Sequence, residues 1–159
     1  MKGNEKLLTV LNSLLTEELT AINQYMVHSE MCQNWGYNAL YLAIRKQAME
    51  EMLHAEWLIE RIIFLEGLPI VSNLNAMKIG KTVAAIIGND NGDEVKAVIS
   101  YNEAIKLARD VDDQATVDLL AKILIMEEGH VDWAEKQQAQ IEQMGIENYL
   151  VSQVGSQAG

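Results

Sequence analysis

Apolar residues recur at alternating steps of three and four through four long stretches of this 159-residue chain. That spacing lays them along one face of an α-helix. The first stretch, from about Glu5 to Asn34, puts Leu7, Leu11, Leu14, Glu18, Ala21 and Tyr25 on one stripe. Trp35-Gly36 ends it, glycine being the usual helix stop. The second runs from about Asn38 to Glu66 with Ile44, Ala48, Glu51, Ala55, Leu58, Ile62 and Leu65 in step, and Gly67-Leu68-Pro69 terminates it. A crossover over about residues 68–81 is long enough to run the length of a bundle. The third stretch carries Glu94, Val98, Tyr101, Ile105 and Ala108. Its beginning is expected to be irregular, because Gly88-Asn89-Asp90-Asn91-Gly92 is locally a turn sequence and two glycines so close oppose a continuous helix. The fourth, from about Asp113 to Met144, aligns Leu120, Ile123, Glu127, His130, Ala134 and Ile141, and Gly145 stops it. A short fifth helix over about residues 147–154 precedes a Ser/Gly/Gln tail expected to fray. Two long helices, a crossover and two more long helices predict an all-α four-helix bundle with one long connection, residues 1–159 forming one domain.

Composition narrows the function. The formal charge is −11, which argues against nucleic acid or an anionic membrane as partner. The single cysteine, Cys32, excludes an intrachain disulfide and any thiolate metal site, and points to a reducing cytoplasm. Lys2 and Lys6 precede an apolar run, but Asn12, Ser13, Glu17 and Glu18 interrupt it and no small-residue cleavage site follows, so no signal peptide is read. No apolar run approaches the length of a membrane span.

The chemistry lies where the stripes are broken. Glu18, Glu51, Glu94 and Glu127 occupy positions that the periodicity reserves for apolar side chains, and His54 and His130 stand three residues after Glu51 and Glu127. Residues three apart share a helix face, so each Glu-x-x-His aims a carboxylate and an imidazole the same way. The arrangement occurs twice. An offset of 76 residues (127 − 51) carries Glu18 onto Glu94, Glu51 onto Glu127 and His54 onto His130, and also Ala21 onto Ala97, Tyr25 onto Tyr101 and Trp57 onto Trp133. Such repetition implies two helix pairs about an approximate two-fold axis, on which six ligand-type residues meet.

Four buried carboxylates at one level cannot all stay ionised without compensating charge. No lysine or arginine falls on these stripes near them. Two divalent cations would balance four carboxylates, with neutral imidazoles completing the shell, and carboxylate with imidazole suits iron or manganese better than a zinc-thiolate or calcium site.

At this point the residues resemble a known family. The order Glu, Glu-x-x-His, Glu, Glu-x-x-His is similar to that of the ferritin-like di-iron carboxylate proteins, and within them the chain resembles the bacterioferritins over nearly its full length. The resemblance is carried by Met1-Lys2-Gly3, Ala21-Ile22-Asn23-Gln24-Tyr25, Asn34-Trp35-Gly36, Phe64-Leu65-Glu66-Gly67-Leu68-Pro69, Glu127-Glu128-Gly129-His130 and Asn148-Tyr149-Leu150. It implies a ferritin-like bundle with a ferroxidase centre: Glu18 and His54 as terminal ligands of one iron, Glu94 and His130 of the other, Glu51 and Glu127 bridging both, and Tyr25 beside them. It implies oxidation of Fe(II) by O2 or H2O2 and storage of ferric mineral in a hollow homo-oligomeric shell of 24 subunits built from dimers. Met52 faces another side of its helix from Glu51; the resemblance implies that it and its mate from a second subunit ligate one haem b, which takes electrons from a bacterioferritin-associated ferredoxin for iron release.

Two features depart from the family. Where many bacterioferritins carry His and Asp for an extra inner-surface iron, this chain has Lys46 and Glu50, and a lysine is a poor iron ligand. The Gly88–Gly92 stretch is expected to loosen the backbone before Glu94. The competing readings are a small-assembly di-iron oxidase or peroxidase without mineral storage, and a haem-carrying scaffold with a degenerate metal site; the presence of all six ligand-type residues speaks against the last.

Overall fold

A computed structural model describes residues 1–155, and the expected fraying of the tail beyond them lies outside the described residues. Five helices follow in order: α1 Glu5–Asn34, α2 Asn38–Phe64, α3 Val83–Asp110, α4 Gln114–Met144 and α5 Ile146–Val154. No strand occurs among the described residues. The fold is the ferritin-like four-helix bundle, with α1 packed chiefly on α2, α3 on α4, and one long crossover between the pairs.

The helix ends follow from local chemistry. Asn4 caps α1 by accepting from the Leu7 N–H at 3.1 Å, Thr82 caps α3 from Ala85 and Asp113 caps α4 from Thr116. Gly36, at φ 85°, closes α1 with left-handed backbone, its neighbour Tyr37 N–H reaching back to the Cys32 carbonyl at 2.9 Å. Arg61 ties the end of α2 to the cap of α4, its guanidinium meeting Thr116 Oγ1 and Asp113 Oδ1 at 2.8 Å each.

The Gly88–Gly92 stretch is no turn. Helix α3 begins at Val83 and runs through both glycines without a break. Two interior glycines cost about 2 kcal/mol of helix propensity relative to alanine. Tertiary anchors offset this: Val83, Ile86 and Ile87 are buried in the core, and Asp90 is buried and bonded to α1. A Cβ on Gly80 would come within 2.5 Å of the Ile86 nitrogen, so the crossover lies flush against the first turn of α3.

Two apolar clusters fill the bundle. One gathers Leu7, Leu11, Leu14, Leu58, Ile62, Ala104, Leu120 and Ile123; the other gathers Tyr25, Cys32, Leu40, Ile44, Ile86, Ala134 and Tyr149 of α5. Between them lies a polar waist.

Candidate metal centre

The waist is built from the six residues that interrupt the apolar stripes. Glu18 comes from α1, Glu51 and His54 from α2, Glu94 from α3, Glu127 and His130 from α4. All six are at most 5 % exposed. They form two overlapping sets, Glu18–Glu51–His54–Glu127 and Glu51–Glu94–Glu127–His130, and in each set one donor atom per residue lies within 4.8 Å of the others. Glu51 and Glu127 belong to both. The imidazole rings of His54 and His130 lie 6.3 Å apart, tilted by 29°, as an approximate two-fold between the helix pairs requires.

Both histidines turn Nδ1 inward. His54 Nδ1 stands 2.8 Å from Glu127 Oε1, 3.2 Å from Glu51 Oε2 and 3.4 Å from Glu18 Oε2. His130 Nδ1 stands 2.9 Å from Glu51 Oε1, 3.2 Å from Glu94 Oε1 and 3.6 Å from Glu127 Oε2. Each ring nitrogen carries at most one hydrogen, so it cannot satisfy three carboxylates. Accordingly Glu18 Oε2, Glu51 Oε1 and both oxygens of Glu127 are buried without an aligned hydrogen-bond partner. Orphaned buried carboxylate oxygens converging with imidazole nitrogens could hold two divalent cations, and among the described residues no lysine or arginine pairs with any of the four.

The electrostatics carry the same message. Burial, followed by the neighbouring carboxylates, holds the carboxyl groups of Glu18, Glu51 and Glu94 well above the usual range. Burial also opposes ionisation of Glu127, but the closely placed Glu94, His130 and His54 outweigh it and hold that carboxyl well below the usual range. For His54, burial acts downward and is outweighed by the nearby carboxylates of Glu127 and Glu18, leaving it at about 9; His130 is raised for the same kind of reason by Glu127, Glu51 and Glu94. Without metal, the cluster holds itself together with protons.

That has a sign. Raised groups contribute stability that is present below their unfolded values, about 4.5 for the three carboxyls and 6.5 for the imidazoles, and is lost as pH rises through their folded values. Among the six only Glu127 contributes in the opposite sense, and its contribution, like those of Glu50 and Asp113, is already present above the ordinary carboxylate range and does not change between pH 5.5 and 8.5. The metal-free protein should therefore melt at a lower temperature at pH 8.5 than at pH 5.5. Co(II) at about 100 times its dissociation constant contributes about 2.7 kcal/mol per site. This should raise the midpoint at pH 8.5 by at least about 5 °C. A midpoint that does not respond to Co(II) by differential scanning fluorimetry would contradict the cation site.

Two openings lead to the waist. A cavity of about 350 Å³ reaches Glu18, Glu51, Glu94 and Glu127 from the face formed by α1, α3 and the crossover, with Glu17, Lys78 and Asp93 among its lining. A second, of about 400 Å³, reaches His130 between α2 and α4.

Tyr25 lies where the sequence puts it, its hydroxyl donating to Glu94 Oε1. Three neighbours were not foreseen. Tyr101 donates to Glu18 Oε1 at 2.5 Å, and the 76-residue offset that pairs it with Tyr25 was the available signal. Glu50, read only as a departure from the family, bonds His130 Nε2 at 2.6 Å. Met126 meets His54 Nε2 at 3.3 Å. Met52 is not brought to the centre: it is 45 % exposed on the outer side of α2, beside the exposed Met49 and Leu53.

The chain is similar to known proteins over nearly its whole length. The sequence model of the ferritin-like domain matches residues 8–144. The chain is similar to a bacterial ferritin of Synechocystis, 41 % identical over 155 residues, covering 97 % of this chain and 99 % of that relative. It is 38 % identical over 149 residues to a bacterioferritin of Mycolicibacterium paratuberculosis, covering 94 % of each. It is 37 % identical over 149 residues to one of Brucella melitensis, covering 94 % of this chain and 92 % of the relative.

Proposed function

The chain belongs to the ferritin-like family, among the bacterioferritins, and from that premise we propose that it is an iron-storage ferroxidase whose residues 1–159 act as one di-iron unit. The observation that carries the reading is the set of four buried glutamates with orphaned oxygens around two inward-facing imidazoles. Glu18 and His54 would hold one iron and Glu94 and His130 the other, with Glu51 and Glu127 shared between the two sets. When bound, two Fe(II) ions supply the two electrons that reduce O2 or H2O2 without releasing a one-electron product. The chain's own contribution is placement and charge. Four carboxylates hold two divalent cations at no net charge in a waist sealed above and below by apolar side chains. Tyr25 and Tyr101 fix the outer carboxylates of the two halves by donating to Glu94 and Glu18.

The remaining parts of the reading concern assembly. Leu42, Met49, Met52, Leu53 and Ile63 leave α2 with an exposed apolar stripe, more than a free helix surface usually carries. It is the kind of face that subunits of a homo-oligomer bury. An exposed thioether on that stripe suits a haem b shared by Met52 of two copies, and neutral ligation on both sides favours a high haem potential. We place the protein in the cytoplasm, with a small ferredoxin as electron donor to the haem, storing ferric mineral in a 24-subunit shell.

Size-exclusion chromatography with absorbance followed at protein and haem wavelengths tests the assembly. Twenty-four copies of the 17.8 kDa chain give about 427 kDa. Elution near that mass with a coeluting haem band is expected, and Met52→Leu should remove the haem band while leaving the mass unchanged. Elution as a dimer would replace storage by a small-assembly di-iron oxidase.

A further inference from the structure

The 76-residue offset that equates Glu51 with Glu127 also equates Glu50 with Met126. The structure gives these two positions the same task. Each reaches across the approximate two-fold to the outer nitrogen of the opposite half's histidine: Glu50 Oε2 to His130 Nε2 at 2.6 Å, and Met126 Sδ to His54 Nε2 at 3.3 Å. The geometry is repeated and the chemistry is not. A carboxylate accepts the Nε2–H of His130 strongly, fixes the tautomer that leaves the Nδ1 lone pair facing the cluster, and increases the basicity of that nitrogen. A thioether accepts weakly and does little of either. The hydroxyl partners of the outer carboxylates do match, Tyr101 serving Glu18 as Tyr25 serves Glu94. Lys46 completes the difference by pairing with the other oxygen of Glu50 at 2.9 Å, so this carboxylate is held from both sides although a quarter of its side chain is open to solvent.

We infer that Glu50 is a positioning residue for His130 which makes the centre asymmetric, the Glu94–His130 half binding its divalent metal more tightly than the Glu18–His54 half. This rests on the di-metal reading above. Outer-sphere carboxylates on metal-bound histidines typically alter affinity by about 10- to 100-fold.

Shared bridging carboxylates would make two successive binding steps unequal in any case, so the halves are best compared one at a time. The probe is Co(II), followed by its visible d–d absorbance and by calorimetry in anaerobic buffer, which needs no turnover. His54→Ala leaves the His130 half intact and His130→Ala leaves the His54 half. The His54→Ala protein is expected to bind Co(II) about tenfold or more tightly than the His130→Ala protein. Adding Glu50→Gln should remove that advantage in the His54→Ala protein and change nothing in the His130→Ala protein, whereas a merely structural role would weaken both alike. Met126→Glu should tighten the His130→Ala protein. If Met126→Glu does not fold, the Glu50→Gln comparison decides alone. Equal affinities in the two single-histidine proteins, or equal losses on Glu50→Gln, would overturn the asymmetry while leaving the centre in place. Absence of any Co(II) signal in the wild-type protein would overturn the di-metal reading and this inference with it.

Discussion

Replacing Glu127 with alanine is expected to lower the initial rate of Fe(II) oxidation by at least about 100-fold. No other side chain of the waist has as much resting on it. Glu127 belongs to both sets of converging donors, and both of its carboxylate oxygens are buried without an aligned hydrogen-bond partner. It also contributes the nearest oxygen to His54 Nδ1, at 2.8 Å. Of the four glutamates it is the one whose carboxyl the surroundings hold below the usual range. Its loss removes a donor from each of the two converging sets and one of their four carboxylates. Stopped-flow absorbance of the ferric product checks the rate, and Co(II) titration should show at least one of the two metals lost. Glu128→Ala, at the exposed neighbouring position, is the control and should oxidise Fe(II) at the wild-type rate. Wild-type kinetics in the Glu127→Ala protein would refute the assignment of the centre.

The long helices were legible because their signal is redundant. Each apolar stripe repeats many times over about 30 residues, so errors at single positions cancel, and the bounds read from sequence fall within two residues of those observed for α1, α2, α4 and α5. The six clustered residues were legible for the opposite reason: each is an acid or an imidazole where the stripe demands a hydrocarbon. What sequence could not supply was contact between positions with no common pattern. Glu50 reads as an ordinary charge four residues after Lys46, and only the closeness of α2 and α4 turns it toward His130. Local propensity also misled. Two glycines and two asparagines around Asp90 favour a turn when read alone, and buried anchors invisible as such in the sequence, the acid Asp90 among them, hold the helix.

That acid makes the second large prediction: Asp90→Ala should destabilise the metal-free protein by about 2–4 kcal/mol. Asp90 Oδ1 accepts from Gln24 Nε2 and from His28 Nδ1, each at 2.8 Å. The Gly80 backbone N–H donates to His28 Nε2 at 2.9 Å, so that nitrogen carries no proton and His28 is the neutral tautomer with its hydrogen on Nδ1. The arrangement is therefore a charged hydrogen bond rather than an ion pair, and removing its acceptor strands a fully buried N–H. Gln24 keeps Asp93 as a second partner at 3.0 Å and suffers less. The damage should spread along the crossover, because His28 and Gln24 anchor it through the backbone N–H groups of Gly80 and Lys78. Urea unfolding should show the loss in stability, and amide exchange at Gly80 and Lys78 should accelerate. Asp90→Asn, which keeps an oxygen able to accept from His28, should recover much of the stability. Glu94 lies one turn further along α3, so loosening the helix at Asp90 should also weaken Co(II) binding in the Glu94–His130 half. A change in stability of less than about 0.5 kcal/mol, the range of ordinary surface substitutions, would mean that α3 is held through Gly88–Gly92 by apolar packing alone.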